Sequence, residues 1–81
     1  MKPKLLIPLY YEIYTTEEKE KLYITIGYDE KNMIYYFLYS TEDKDGVLAC
    51  GVNTEWLEYK KKMFIEERNL RLIKQGEFKW N

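Results

Sequence analysis

Eight of the nine tyrosines in this 81-residue chain lie within its first 39 residues, in segments whose side chains alternate in character. A period of two places successive side chains on opposite faces of a β-strand. Aromatic residues are also enriched in strands, because they pack well on a pleated surface. The pattern therefore predicts an antiparallel sheet with aromatic side chains on both faces.

Four segments predict strands, and they cover residues 4–15, 21–28, 33–40 and 47–52. The third segment is apolar on both faces, which is typical of a central strand or of one whose outer face is covered. The short polar connections favour hairpins, and Asp45-Gly46 is the strongest turn signal among them. Neighbouring strands joined in this way form an antiparallel meander.

A helix follows the strands. Asn53 or Thr54 is predicted to cap its N-terminus, because their side chains accept hydrogen bonds from the first free backbone N–H groups. We expect the helix to end between residues 68 and 74, near Asn69. Apolar residues recur along it at helical spacing, and an extended tail follows; these residues are Trp56, Tyr59, Met63 and Leu70 in the helix, and Phe78 and Trp80 in the tail.

Together these elements predict one α+β domain over residues 1–81. Its architecture is an antiparallel β-meander of three to four strands followed by one C-terminal helix packed on one sheet face (ββββα). The helix must cover one face of the sheet to bury its apolar stripe. The strands-then-helix order, with residues 51–55 leading into the helix, resembles in topology the small three-stranded DNA-binding domains of some integrases. Those domains read DNA with basic sheet residues, where this chain carries tyrosines.

Strand parity predicts which aromatic side chains point away from the helix. If Ile34, Tyr36 and Leu38 lie beneath the helix, their neighbours of opposite parity point outward. Such a surface could be a solvated sheet face, a site for a protein partner or a second copy, or a platform that stacks nucleic-acid bases. Glu12 within it, and the few lysines nearby, disfavour nucleic acid. The predicted interaction surface consists of Tyr10, Tyr14, Tyr23, Tyr35, Phe37 and Tyr39.

The composition offers little catalytic chemistry, since the chain has no His and a single Cys. No metal-ligand cluster, cofactor fingerprint or Gly-rich phosphate loop is present, so we expect no enzyme activity and no cofactor. Glu12 and the tyrosines expected around it, at positions 10, 14 and 23, form the only candidate acid–base cluster. Cys50 is predicted to be a buried apolar residue, although it could crosslink a dimer from an exposed edge strand. The lysines at positions 60 to 62 are predicted to be solvated.

Charge and hydropathy restrict the classes of partner and the cellular locations that the sequence predicts. The net charge is −1, which argues against binding nucleic acid through bulk charge. No apolar run is long enough to span a membrane or to form an export signal, so the predicted location is the cytoplasm, or the host cytoplasm for a viral protein. Eleven Lys and eleven Glu favour either a thermophile or an A/T-rich genome. We expect a non-enzymatic interaction module that binds through an aromatic sheet face or an edge strand, of the kind that serves as an accessory or inhibitor protein of a virus or mobile element.

Overall fold

The computed structural model describes residues 6–78, which form one antiparallel sheet and one helix. Across the sheet the strands follow the order 4-3-2-1-5, and all neighbouring pairs are antiparallel. Numbered in chain order, the elements are β1 (Leu6–Thr15), β2 (Lys21–Asp29), β3 (Ile34–Ser40), β4 (Asp45–Gly51), α1 (Thr54–Glu67) and β5 (Arg71–Glu77).

The predicted α+β class and the antiparallel meander are confirmed for β1 to β4. The predicted ββββα order is wrong, because β5 follows the helix and pairs with β1. Nearly every residue of β5 is exposed, and its sequence has no apolar face that would mark it as a strand. Its extended conformation instead depends on pairing with the open edge of β1, which no local pattern reveals. Trp80, predicted to lie in the tail, falls outside the described residues.

Two details of the strands are the place of Pro8 in β1 and the turn between β3 and β4, which does not lie at Asp45-Gly46 as expected. Pro8 lies in a strand with neighbours on both sides, but β5 begins to pair only at Tyr10, and the register with β2 shifts between these two residues. The hairpin between β3 and β4 turns at residues 41–44, closed by a 2.8 Å bond from the Thr41 amide to the Lys44 carbonyl. Gly46 lies in β4, where a Cβ would come within 2.9 Å of the Tyr39 hydroxyl.

Both ends of α1 have a clear physical cause. The Asn53 side chain accepts a 3.0 Å hydrogen bond from the Trp56 amide, which confirms the predicted cap. At the other end Asn69 adopts a left-handed conformation with φ 52°. The amides of Asn69 and Leu70 donate to the carbonyls of Glu66 and Ile65, which is the Schellman arrangement. This turn ends the helix within two residues of the predicted position and directs the chain back toward β1.

The left-handed residue at position 69 can be tested by substitution. Asn69→Ala should destabilise the fold by about 1 kcal/mol, because alanine lacks the short polar side chain whose local hydrogen bonding lets asparagine adopt this backbone region. Asn69→Gly should leave stability unchanged or raise it slightly, since glycine adopts positive φ without strain. Urea denaturation of both variants measures the difference. Equal stabilities for the two variants would contradict the assigned helix end.

The face of the sheet beneath the helix is the opposite of the predicted one in β3. Phe37 is buried at 2% exposure, and it lies opposite Ile26 in β2 and Ala49 in β4. Tyr39 lies opposite the fully buried Ile24. The expectation that Ile34, Tyr36 and Leu38 lie beneath the helix is therefore wrong. Both faces of β3 are apolar, so its own pattern cannot fix the parity; the register with β2 does.

The buried face of the helix is also offset from the predicted stripe. Leu57 is fully buried, Lys61 is buried, and Phe64 packs beside them one turn further on. The predicted stripe of Trp56, Tyr59 and Met63 faces solvent, with Trp56 47% exposed. The number of apolar residues alone selects the wrong face of the helix. The buried face includes Lys61, which can be buried because the Glu12 carboxylate pairs with it. Leu70, predicted to belong to the stripe, packs against the core after the helix has ended.

Candidate functional site

One face of the sheet carries no second layer within residues 6–78, because the single helix packs on the other face. Directly paired residues project to the same side of a sheet, so the pairing register identifies the side chains on this face. We call it the helix-free face. Its members in the four-strand meander include Tyr11, Ile13, Tyr23, Thr25, Tyr36, Leu38, Ser40, Asp45, Val47 and Cys50.

Two transverse rows of paired residues cross the helix-free face, and each takes one residue from every strand. Both rows follow from the pairings and are given from β4 to β5. The charged row is Asp45, Ser40, Tyr23, Ile13 and Lys74, and the apolar row is Val47, Leu38, Thr25, Tyr11 and Gly76.

The helix-free face exposes large apolar side chains. Tyr23 is 41% exposed and Val47 is 55% exposed. The Tyr11 ring packs edge-on against Phe78 at 5.5 Å between centroids, and it lies close over Gly76, where a Cβ would come within 3.0 Å of its hydroxyl. A surface cleft of about 390 Å³ opens beside Tyr23. These apolar side chains have no layer over them among the described residues, and exposed apolar patches are candidate interaction sites.

The six residues of the predicted interaction surface do not lie together. Tyr23 alone is on the helix-free face. Tyr14 is 5% exposed and Phe37 is 2% exposed, so neither can contact a partner in the folded domain. The outward placement is wrong for five of the six because the parity of β1 and β3 is reversed; the five on the helix side are Tyr10, Tyr14, Tyr35, Phe37 and Tyr39.

Sequence reasoning missed the aromatic residues that do face outward, Tyr11 and Tyr36. The signal that could have found them is the alternation of β2, in which Leu22, Ile24 and Ile26 fall on one face. All three are buried. Pairing β1 and β3 to these residues in register would have reversed the parity of both strands.

Beneath the helix, Glu12 is the centre of a buried polar cluster. The Tyr14 hydroxyl donates to Glu12 Oε1 at 2.7 Å, and Lys61 Nζ donates to Glu12 Oε2 at 3.0 Å. Lys61 also pairs with Glu58 at 3.2 Å. The predicted solvation of Lys61 is therefore wrong, because its ammonium group is the counter-ion of a buried carboxylate. Of the predicted ring around Glu12, Tyr23 lies on the opposite face of the sheet.

The pKa values of Tyr14 and Lys61 in this cluster are both raised. Burial raises the pKa of Tyr14 above its usual value, and the hydrogen bond and charge of Glu12 raise it further. Burial alone would lower the pKa of Lys61, but hydrogen bonds and charges from Glu12 and Glu58 outweigh it, so this pKa is raised. A general acid or base works best with a pKa near the working pH, and these shifts lead away from it. Every buried side-chain N or O atom in the described residues is hydrogen-bonded, so we interpret the cluster as structural.

These shifts predict a loss of stability at alkaline pH. In the unfolded chain Tyr14 and Lys61 release their protons near their ordinary pKa values of 10.0 and 10.5, while the folded state retains them. The unfolded state then binds fewer protons, so the free energy of unfolding falls as pH rises above about 10, by up to about 1.4 kcal/mol per pH unit for each group. Urea titrations at a series of pH values measure this slope. Tyr14→Phe should flatten it, whereas the exposed control Tyr59→Phe should not; identical slopes in both variants would contradict the assignment.

Two further residues differ from expectation in their exposure. Cys50 is exposed, not buried, because it lies on the edge strand β4 opposite Tyr36 on the helix-free face. On α1, the exposed side chains of Trp56, Tyr59 and Met63 form a narrow apolar stripe, and Lys60 Nζ lies 5.7 Å from the Trp56 ring centroid. The helix-free face and this helix stripe both expose apolar side chains within residues 6–78.

Comparison with protein-family models, with curated proteins and with solved structures finds no match for this chain. Within residues 6–78 no three acidic, His or Cys side chains are grouped so that they could hold a metal ion. The helix is too short and too polar to cross a bilayer, and no other helix occurs in the described part of the chain.

Proposed function

We propose that the protein is a small, non-enzymatic protein-interaction module that docks through the helix-free face. The observation that carries this proposal is the single helix layer, which leaves one side of a five-stranded sheet open. Tyr, Phe and aliphatic side chains on that side are typical of interface centres. The proposal keeps the outward-facing aromatic surface expected from the sequence, but apart from Tyr23 that surface is formed by other residues.

The chemistry of the buried cluster supports a binding role. Glu12, Tyr14 and Lys61 satisfy one another and lie beneath the helix, where a substrate would have to displace the core. Their function in this proposal is to fix the helix on the sheet. An exposed thiol at Cys50 suits a reducing compartment such as the cytoplasm, and we place the module there. Origin in a virus, a mobile element or a thermophile stays a prediction from composition.

A nucleic-acid partner is the alternative from another class. The helix-free face offers Tyr11, Tyr23 and Tyr36 for base stacking, with Lys21 and Lys74 at its margin. However, Asp45 lies in the same row as Lys74, and the whole chain has net charge −1. Backbone-tracking sites need a continuous cationic groove, so these charges favour a protein partner.

A photocrosslinking amino acid tests the proposed surface directly. It is placed at Tyr23 on the helix-free face, at Trp56 on the helix stripe, and at the exposed control position Lys62. Irradiation is carried out in extract from the source cells and with the purified protein, and products are identified by mass spectrometry. We expect a specific polypeptide adduct from position 23 alone, competed by excess unlabelled protein.

Two results would overturn this proposal. Adducts from position 56 but not 23 would move docking to the helix. The second is binding of a labelled single-stranded oligonucleotide at low salt that is lost in Tyr23→Ala, since it would assign the face to nucleic acid. An absence of adducts from position 23 in both samples would also contradict the proposal.

A further inference from the structure

Resting on the proposed function, we infer that the partner on the helix-free face is a second copy of this chain. The two sheets pack face to face, related by a two-fold axis that runs parallel to the strands and passes between the two β2 strands. Because β2 is the middle strand of five, this axis places β4 of one copy over β5 of the other and β3 over β1. Stacked sheets in sandwiches pack about 10 Å apart with strands aligned to within about 30°.

Charge complementarity selects this arrangement. Asp45 and Lys74 are both exposed and lie at opposite ends of the charged row. The two-fold axis therefore brings Asp45 of each copy over Lys74 of the other, which gives two opposite-charge contacts. The alternative axis, perpendicular to the strands, would stack β5 on β5 and β4 on β4, so Asp45 and Lys74 could not meet across the interface. Complementary charges of this kind fix the register of an interface.

Under the same two-fold axis, the apolar rows of the two copies lie over each other. Leu38 of one copy lies over Tyr11 of the other, and Thr25 and Tyr23 each meet their own counterparts at the axis. Val47 lies over Gly76, whose surface the Tyr11 ring already covers, so Val47 of one copy meets Tyr11 of the other. Lys21 also meets its counterpart at the exposed end of β2, so the arrangement sets one like-charge contact against two opposite-charge contacts.

The areas of the helix-free face and the helix stripe indicate which of them can serve as a dimer interface. Five strands about 4.8 Å apart and about seven residues long give a face of roughly 500 Å² in projection, and its side-chain relief raises the accessible area. Standard interfaces bury about 800 Å² per partner, and weak ones less than about 600 Å². The stripe on the 14-residue helix, about 21 Å long and about 10 Å wide, offers less than half of that face. A second copy on the helix-free face can therefore form a dimer at the lower end of the usual size range.

A charge-exchange experiment tests this dimer without disturbing the core. Asp45→Lys and Lys74→Asp should each raise the dimer dissociation constant about tenfold or more, because each creates two like-charge contacts. The double variant should restore wild-type affinity. Glu55→Lys, an equal charge change on the exposed surface of α1, is the matched control and should leave it unchanged. Sedimentation equilibrium over a range of concentrations measures all four; failure of the double variant to recover would overturn the arrangement.

Crosslinking supplies a second, geometric test. Thr25 lies at the axis, so a Thr25→Cys, Cys50→Ser variant should be joined to its copy by a bis-maleimide of about 10 Å span, the spacing of stacked sheets. The native Cys50 thiols lie four strands apart across the interface, roughly 20 Å, and should not be joined. Crosslinking through Cys50 but not through position 25 would overturn the face-to-face dimer in favour of β4 edges meeting.

The outcomes separate this inference from the function on which it rests. A wild-type protein that stays monomeric at every concentration, while position 23 still captures a different polypeptide in extract, overturns the self-partner and leaves the docking face intact. A monomer that captures nothing at position 23 overturns both.

Discussion

Lys61→Met should destabilise the protein by about 3–5 kcal/mol, because it leaves Glu12 as a buried carboxylate with no counter-ion. The two side chains are only 11% and 7% exposed, so water cannot replace the lost partner. Methionine preserves the packing of the lysine stem, so the loss of stability reports the charge and not a cavity. Urea denaturation at neutral pH measures the change.

A double variant separates the value of the pair from the cost of breaking it. Glu12→Gln with Lys61→Met removes both charges while keeping an oxygen that can accept the Tyr14 hydroxyl. It should be more stable than Lys61→Met alone by about 2 kcal/mol or more. Lys62→Met, on the exposed side of the same helix, should change stability by no more than about 0.5 kcal/mol. Equal effects of Lys61→Met and Lys62→Met would contradict the buried ion pair.

Phe37→Ala should cost about 3–5 kcal/mol, because its ring is 2% exposed and fills the space between Leu57 of the helix and Ile26 and Ala49 of the sheet. Tyr36→Ala is the matched control from the opposite face. It removes a half-buried ring with no layer above it, and should cost less than half as much. Thermal and urea unfolding of both variants give the comparison. A larger loss for Tyr36→Ala would show that the parity of β3 is the one expected from sequence.

Much of the fold can be predicted from the local sequence pattern. The alternation of residues 21–28, the Asn53 cap and the short polar turns each fix their element through contacts within a few residues. β5 could not be found this way, since residues 71–77 are nearly all exposed and form a strand only through pairing with β1. The register between strands is likewise a tertiary property when both faces of a strand are apolar.

The residues of the candidate site are even harder to predict from local sequence pattern. Tyr35 and Tyr36 are adjacent, and a shift of one residue in register exchanges which of them faces the helix. The buried face of α1 depends on Lys61 meeting Glu12, 49 residues away in sequence, and no propensity scale contains that contact. The kind of surface, an aromatic sheet face, could be predicted; the residues that form it could not, apart from Tyr23.

A dilution series followed by two-dimensional NMR of the backbone amides tests the central claim most directly, because it reports contact at each residue of the unmodified protein. We predict concentration-dependent shifts at Tyr11, Tyr23, Thr25 and Leu38 on the helix-free face, with the amides of Trp56 and Tyr59 on the helix unchanged. Shifts confined to the helix stripe, or none up to the highest concentration, would contradict a self-docking helix-free face.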